Sequence, residues 1–227
     1  MKKKKVIDLS LPLYTGAPIW SPEPKTVITD FFTIGRHYGA PEKMNMKVLY
    51  MSGHAGTHCD APKHLRAGRP SMDEIPLERF VGPALVVHLP HKGFDDPWIT
   101  VSDLSPVSAR LGEGSRLLVH TGWDRFWERD NQTYFDQQKA PKFHLDTLAW
   151  LRERKVGLIG VDMPSVNALL DQHATLFDAD YLPPIVIELM TNMAHLPEEV
   201  ELICLPIRIQ DGDGAPVRAV ALVEEEE

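Results

Sequence analysis

The sequence predicts an α/β protein folded around one mixed sheet. Three observations carry this expectation. Strand, helix and strand signals alternate across residues 115–163. Several strand-like runs are apolar almost without interruption, as strands buried on both faces are. The 19 prolines and 15 glycines are spread along the whole chain, which favours many short elements over long helices. At 227 residues, with no internal repeat and no low-complexity linker, a single domain over 1–227 is expected.

Seven segments read as strands: "KVIDLSL" (5–11), "MKVLYMS" (46–52), "PALVVHLP" (83–90), "SRLLVHTG" (115–122), "VGLIGVDM" (156–163), "VELICLPIRI" (200–209) and "VRAVALV" (217–223). Most are rich in β-branched or other apolar residues and have Pro, Gly or Asp at or near their ends. Three segments read as helices. Residues 100–112 have Ser102 or Asp103 as a cap and Gly112 as a stop. Residues 144–157 place Leu145, Leu148, Ala149, Leu151 and Arg152 at helical spacing and end on Gly157. Residues 165–173 read as a short helix, with Ser165 as its cap in the simpler reading and a pocket-lining residue in the other. "WDRFWERDNQTYF" (123–135) mixes aromatic and charged residues; a surface helix is the simpler expectation and a loop over a pocket the other.

Composition excludes several functions. The formal net charge of −8 lacks the basic balance of a nucleic-acid binder. No apolar stretch approaches the length of a membrane span, and "VIDLSLPLYTG" is too interrupted to be a signal-peptide core. Two cysteines, Cys59 and Cys204, give no disulfide framework and fit a reducing compartment, so the cytoplasm is expected. The basic run Lys2–Lys5 and the acidic tail Glu224–Glu227 read as solvated termini. A small-molecule partner is left, with neither nucleic acid nor membrane.

The chemistry concentrates in "SGHAGTHCDAPKHL" (52–65). His54 and His58 are four apart, but Gly53, Gly56 and Pro62 argue against a helix there. In an extended chain, side chains alternate with period two. His54, Gly56, His58 and Asp60 then share one face, and Gly56 leaves room for an ion on it. Pro62 and His64 continue that parity. Cys59 has the opposite parity and reads as a packed thiol. Imidazoles with a carboxylate suit a divalent cation such as zinc, manganese or iron, and a carboxylate can bridge two ions. Any one of these histidines alone would be read as structural; three histidines and an aspartate in one register favour a metal site.

This stretch resembles the HxGTHxDxPxH signature of the cyclase family, which includes bacterial kynurenine formamidases and isatin hydrolases. The resemblance extends to "VIDLSLPLYTGAPIW", "LLVHTGWD", "VGLIGVDMPSV" and "LPIRIQDGDGAPVRAVAL", in the family's order and over most of the chain. It implies a swivelling β/β/α fold, one or two metal ions, and a homodimer or homotetramer with partner residues near the pocket. Carried over by position, His54, His58 and Asp60 would bind the first ion; Asp60 would bridge to a second, held also by His173 and Glu188; and His64 would be the acid/base residue. Two departures stand out. Glu188 lies fifteen positions after His173, a longer gap that an insertion at Asp178–Pro183 explains, and Leu189 stands where the family has Asn. From the residues alone, Glu188 follows the apolar run "PPIVI", where an ionised carboxylate needs a partner.

The expected activity is hydrolysis of a small amide, such as an N-formyl aryl amine, by water that a zinc or manganese ion acidifies, with His64 returning a proton to the leaving nitrogen. Hydrolysis of an isatin-like lactam or cyclic imide, a cyclase or dehydratase reaction, and metal binding without turnover are the alternatives. No GxSxG elbow supports a serine hydrolase. Trp20 is expected either to wall an aromatic pocket or simply to pack. His88 and His120 read as core or strand-end residues; His37, His91, His144 and His195 carry no spacing signal. "DGDG" (211–214) reads as a tight turn.

Overall fold

The computed structural model describes residues 3–34 and 44–224; His37, Lys2 and Glu225–Glu227 lie outside the described residues. The strands are β1 (Lys4–Asp8), β2 (Val27–Phe32), β3 (Met46–Tyr50), β4 (His58–Asp60), β5 (Val81–His88), β6 (Trp98–Ile99), β7 (Arg116–His120), β8 (Lys142–Phe143), β9 (Leu158–Val161), β10 (Ile185–Glu188), β11 (Glu199–Ile203), β12 (Gly214–Pro216) and β13 (Val220–Glu224). The helices are α1 (Asn131–Tyr134), α2 (Leu145–Glu153) and α3 (Leu170–Ala174). All seven predicted strands are present, most of them trimmed at one or both ends.

Nine strands form one sheet in the order β1-β13-β11-β5-β7-β9-β10-β4-β12. β5, β7, β9 and β10 are mutually parallel, and the flanking pairs are antiparallel, so the sheet is mixed as expected. The parallel strands are the predicted near-continuous apolar runs, and burial on both faces is the reason. Leu117, Val119, Ile159, Val161 and Val186 face one core, with Trp123, Phe143 and Leu148 packed over them. Leu118, Leu158, Ile185 and Ile187 face a second core with Cys59, Phe80 and Leu202. Residues one apart in sequence therefore belong to different cores.

The helix signals fared less well. Residues 144–157 form α2, capped by the His144 ring, which accepts from the Asp146 N–H. Residues 165–173 yield only α3, which starts at Leu170 without a side-chain cap, so Ser165 is not a cap. Residues 100–112 make a short 3₁₀ turn, Val101–Leu104, capped by Thr100 with Asp103; Pro106 cannot continue a helix. The stretch 123–135 is not a surface helix. Trp123, Trp127 and Tyr134 are buried, and the Trp123 indole donates to the Tyr134 carbonyl. Burial of the aromatic residues breaks the segment into a 3₁₀ turn and the single turn of α1. Five strands went unforeseen: β4, β6, β8 and β12, which at two or three residues are too short to show alternation, and β2, which pairs with β3 in a separate two-stranded sheet.

Candidate active site

The site gathers where β4 meets β10. Their antiparallel register sets His58 opposite Glu188. His58 and Asp60 alternate onto the same side of β4, while Cys59 is buried in the opposite core, as its parity requires. His54 joins them by a different route from the one its parity suggests. Residues 53–57 are turns, and Gly56 has φ +61°. A side chain at Gly56 would strike Leu13, 2.7 Å away, so that glycine makes the turn possible and does not clear room for an ion.

Asp60 is the centre of the arrangement. Its Oδ1 lies 2.8 Å from His54 Nδ1 and 3.3 Å from His58 Nε2, and its Oδ2 lies 3.9 Å from His173 Nε2. Glu188 Oε2 is 3.8 Å from His58 Nε2, and Glu188 Oε1 accepts from the Val166 N–H. At the start of the longer Asp178–Pro183 stretch, Arg66 holds the exposed Asp178 in a two-pronged ion pair, and His173 still reaches the cluster. At Leu189 the backbone has φ +57°, which Asn tolerates better than Leu. Here the side chain is buried. Burial of a leucine, about 1.5–3 kcal/mol, outweighs a left-handed cost of about 1–2 kcal/mol.

The hydrogen bonds orient the rings. His58 Nδ1 is 2.8 Å from the Gly56 carbonyl, which only accepts, so this nitrogen carries the proton and, in the neutral ring, Nε2 offers a lone pair. Ser165 Oγ donates to the Asn167 carbonyl and accepts from His173 Nδ1 at 3.4 Å, which leaves the His173 Nε2 lone pair facing inward. That atom is buried and has no hydrogen-bond partner. The His58 and His173 Nε2 lone pairs therefore face Asp60 and Glu188, the His173 one with no hydrogen-bond partner, and a cation is the group that satisfies them. His58, Asp60 and Glu188 can supply one ligand set, and His54, Asp60 and His64 another.

The charges agree. Burial opposes ionisation of Asp60, but the hydrogen bond from His54 and the His58 ring beside it prevail and hold its pKa well below the usual range. Burial and the nearby Asp60 charge push Glu188 well up. Burial lowers the His173 pKa to about 4. Burial also disfavours charge on His54, yet hydrogen bonds to Asp213 and Asp60 raise its pKa to about 11.

Asp213 is the residue that sequence reasoning missed. Its Oδ2 lies 3.1 Å from His54 Nε2 and 3.3 Å from His64 Nδ1. It precedes β12, whose register sets Gly214 opposite Asp60. A side chain at Gly214 would come within 2.4 Å of the His54 ring, so the "DGDG" turn is part of the site. The predicted acid/base residue, His64, is half-buried at the end of a 3₁₀ turn, and its ring is 4.2 Å from that of His54, centroid to centroid. The cluster opens onto a pocket walled by Ile19, Trp20, Phe135, Ala168, Leu170 and Leu189. Trp20 and Phe135 meet edge to face at 5.4 Å, so Trp20 walls the pocket, and so does the end of the 123–135 stretch. Ser165 also lines it.

The Cyclase family model matches residues 7–168. The chain is 31% identical over 225 residues to a protein named kynurenine formamidase from Bordetella avium, covering 96% of this chain and 97% of the relative. It is 30% identical to one of the same name from Salinibacter ruber, covering 95% and 96%. Among solved structures, isatin hydrolase A from Labrenzia aggregata superposes with a TM-score of 0.84 at 23% identity, over 98% of this chain and 94% of that one. A protein from Bacillus stearothermophilus described as a predicted metal-dependent hydrolase superposes with a TM-score of 0.74 at 25% identity, over 97% and 98%.

Proposed function

This chain belongs to the cyclase family, and on that premise we propose that it is a metal-dependent amidohydrolase that cleaves the C–N bond of a small aryl amide, an arylformamide such as N-formylkynurenine. The observation that carries the reading is the buried His173 Nε2, which has no protein partner and faces Asp60 in a pocket that also holds His58 and Glu188. The relatives' name supports the amide class, and the pocket's aromatic wall suits a small aromatic substrate.

His54, His58 and Asp60 would hold the first ion, and Asp60, His173 and Glu188 a second. Nitrogen and oxygen donors without thiolate favour zinc, with manganese as the alternative. When bound, the cation supplies Lewis acidity, which makes water acidic enough to attack near neutral pH and draws charge from a carbonyl oxygen. Trp20 and Phe135 hold the aryl group flat against the wall and exclude water from that side. One water adds to the carbonyl carbon, the C–N bond breaks, and His64 passes a proton to the departing nitrogen. Asp213 fixes the His64 ring by its hydrogen bond to Nδ1, leaving Nε2 to handle the proton.

A homodimer is part of the same proposal. What supports it is the β2–β3 hairpin, a two-stranded sheet of its own with Val27, Phe31, Met46, Val48, Leu49 and Tyr50 exposed. An isolated hairpin is marginal in water. Both cysteines are free, buried thiols, which supports the cytoplasm as its compartment. No helix of the described residues is long and apolar enough to cross a membrane.

Hydrolysis assays on N-formylkynurenine, isatin and a simple cyclic imide test the reading. Formamide cleavage that chelation abolishes and added zinc or manganese restores is the expected result. Turnover of isatin or the imide alone would move the substrate to the lactam class, and turnover of none would leave metal binding without catalysis.

A further inference from the structure

A second group of metal-ligating side chains lies on the other face of the central sheet. His88 ends β5, His120 ends β7, and Asp162 follows β9. By strand alternation His120 and Asp162 share the side of Leu118 and Leu158, whereas Glu188 shares the side of Val186 and Val161. His120 and Asp162 are buried, and Asp124 is half-buried.

The hydrogen bonds here fix the ring tautomers. The Leu196 carbonyl can only accept, so His88 Nε2, 2.9 Å away, donates to it. In the neutral ring, His88 Nδ1 is then an acceptor. His120 Nδ1, 3.0 Å from it, must be the donor. The His120 Nε2 lone pair is thereby turned toward Asp162, whose Oδ2 is 4.0 Å away, and toward Asp124. Both carboxylates are held rigidly. Asp162 accepts from the Thr121 N–H, the Thr121 hydroxyl and the Gly122 N–H. Asp124 Oδ2 accepts from the Thr191 hydroxyl and the Asn192 N–H. One ligand atom each from His120, Asp124 and Asp162 lies within 4.8 Å of the others. Three ligand atoms thus converge, and each is oriented by a partner behind it, as metal ligands are. Arg125 Nη1 donates to the Gly122 carbonyl.

We propose that His120, Asp124 and Asp162 form a second divalent-metal site, separate from the pocket, that takes a zinc- or manganese-class cation. One imidazole and two carboxylates balance a charge of two, and their donor type suits that class. The site joins the ends of β7 and β9 to the Thr191–Asn192 turn that follows β10. Its role is to brace the strand ends that carry Glu188 on the opposite face. It does not act on substrate.

The test is a zinc-edge anomalous map from zinc-soaked crystals of the full chain, wild type and Asp60→Asn, with zinc alone as the probe. A peak bounded by His120, Asp124 and Asp162 in both proteins is expected, even if the pocket of the variant is empty. Anomalous density confined to the pocket would overturn the site. In solution, Asp124→Asn should weaken zinc binding of the Asp60→Asn protein by about tenfold or more, the scale of losing one ligand or its support. Unchanged affinity counts against the proposal. A nitrogen–proton NMR correlation that places a proton on His120 Nε2, undisplaced by excess zinc, does too. That result would make the cluster an imidazolium held by two carboxylates.

Discussion

Asp60 faces three imidazoles at once, and no other acidic residue of the pocket is so placed. Because both nitrogens of the metal-free His54 ring face carboxylates, that ring is cationic at neutral pH, with a pKa near 11. A cation that takes His54 as a ligand must displace its proton. Since the raised value belongs to the metal-free state, binding releases protons, and affinity rises with pH by up to about tenfold per unit below that value. Calorimetry in buffers of different ionisation enthalpy should show about one proton released per ion at His54, with Glu188 adding to it because its pKa is also raised. A buffer-independent heat would contradict the arrangement. At the acid/base position, His64→Ala should keep its metal and lose about 10²–10⁴-fold in kcat. Loss of metal instead would make His64 a ligand, which its place beside His54 and Asp60 permits. Asp213→Asn should lower kcat by about 10–100-fold with metal retained. Unchanged turnover would leave Asp213 with only a turn to hold.

At the scale of elements, the site depends on register. β4 contributes His58 and Asp60 with only three residues, and it is held by β10 on one side and β12 on the other. Glu188 at the end of β10 therefore enters the pocket by strand pairing, and Glu188→Gln should lower occupancy of a second ion while the first remains. Unchanged metal content in that variant would remove Glu188 from the ligand set. Register is also where legibility ends. The parallel strands could be read from apolar runs such as "ALVV" and "VGLIGVD" because burial on both faces leaves a local composition signal. His58, Asp60 and Cys59 sorted correctly because alternation is local too. His54 reached the right place for a reason the pattern did not contain, a left-handed turn at Gly56. Asp213 was hidden because its contacts with His54 and His64 span 159 and 149 positions and its own neighbourhood is an ordinary turn. The aromatic stretch 123–135 misled because charges between aromatic residues look the same on a surface helix and on a buried wedge. His173 and Glu188 were placed by resemblance, across a loop of unusual length.

On the scale of the whole molecule, two features ask for partners. The β2–β3 hairpin leaves every residue of β3 exposed, including Leu49 and Tyr50, and just after it Ser52 donates to Glu23, which lines the pocket. Leu49→Asp should shift sedimenting mass from dimer to monomer; a monomeric wild type would dispose of the dimer. The pocket asks for a cation, because the buried His173 Nε2 has no hydrogen-bond partner and faces Asp60. The most direct measurement is elemental analysis of purified protein coupled to an N-formylkynurenine assay, before and after chelation. We expect one to two equivalents of zinc or manganese per chain, hydrolysis that disappears with the metal, and recovery when it is restored. A fully folded protein that takes up no divalent metal, or that hydrolyses the formamide equally well after complete chelation, would contradict the account.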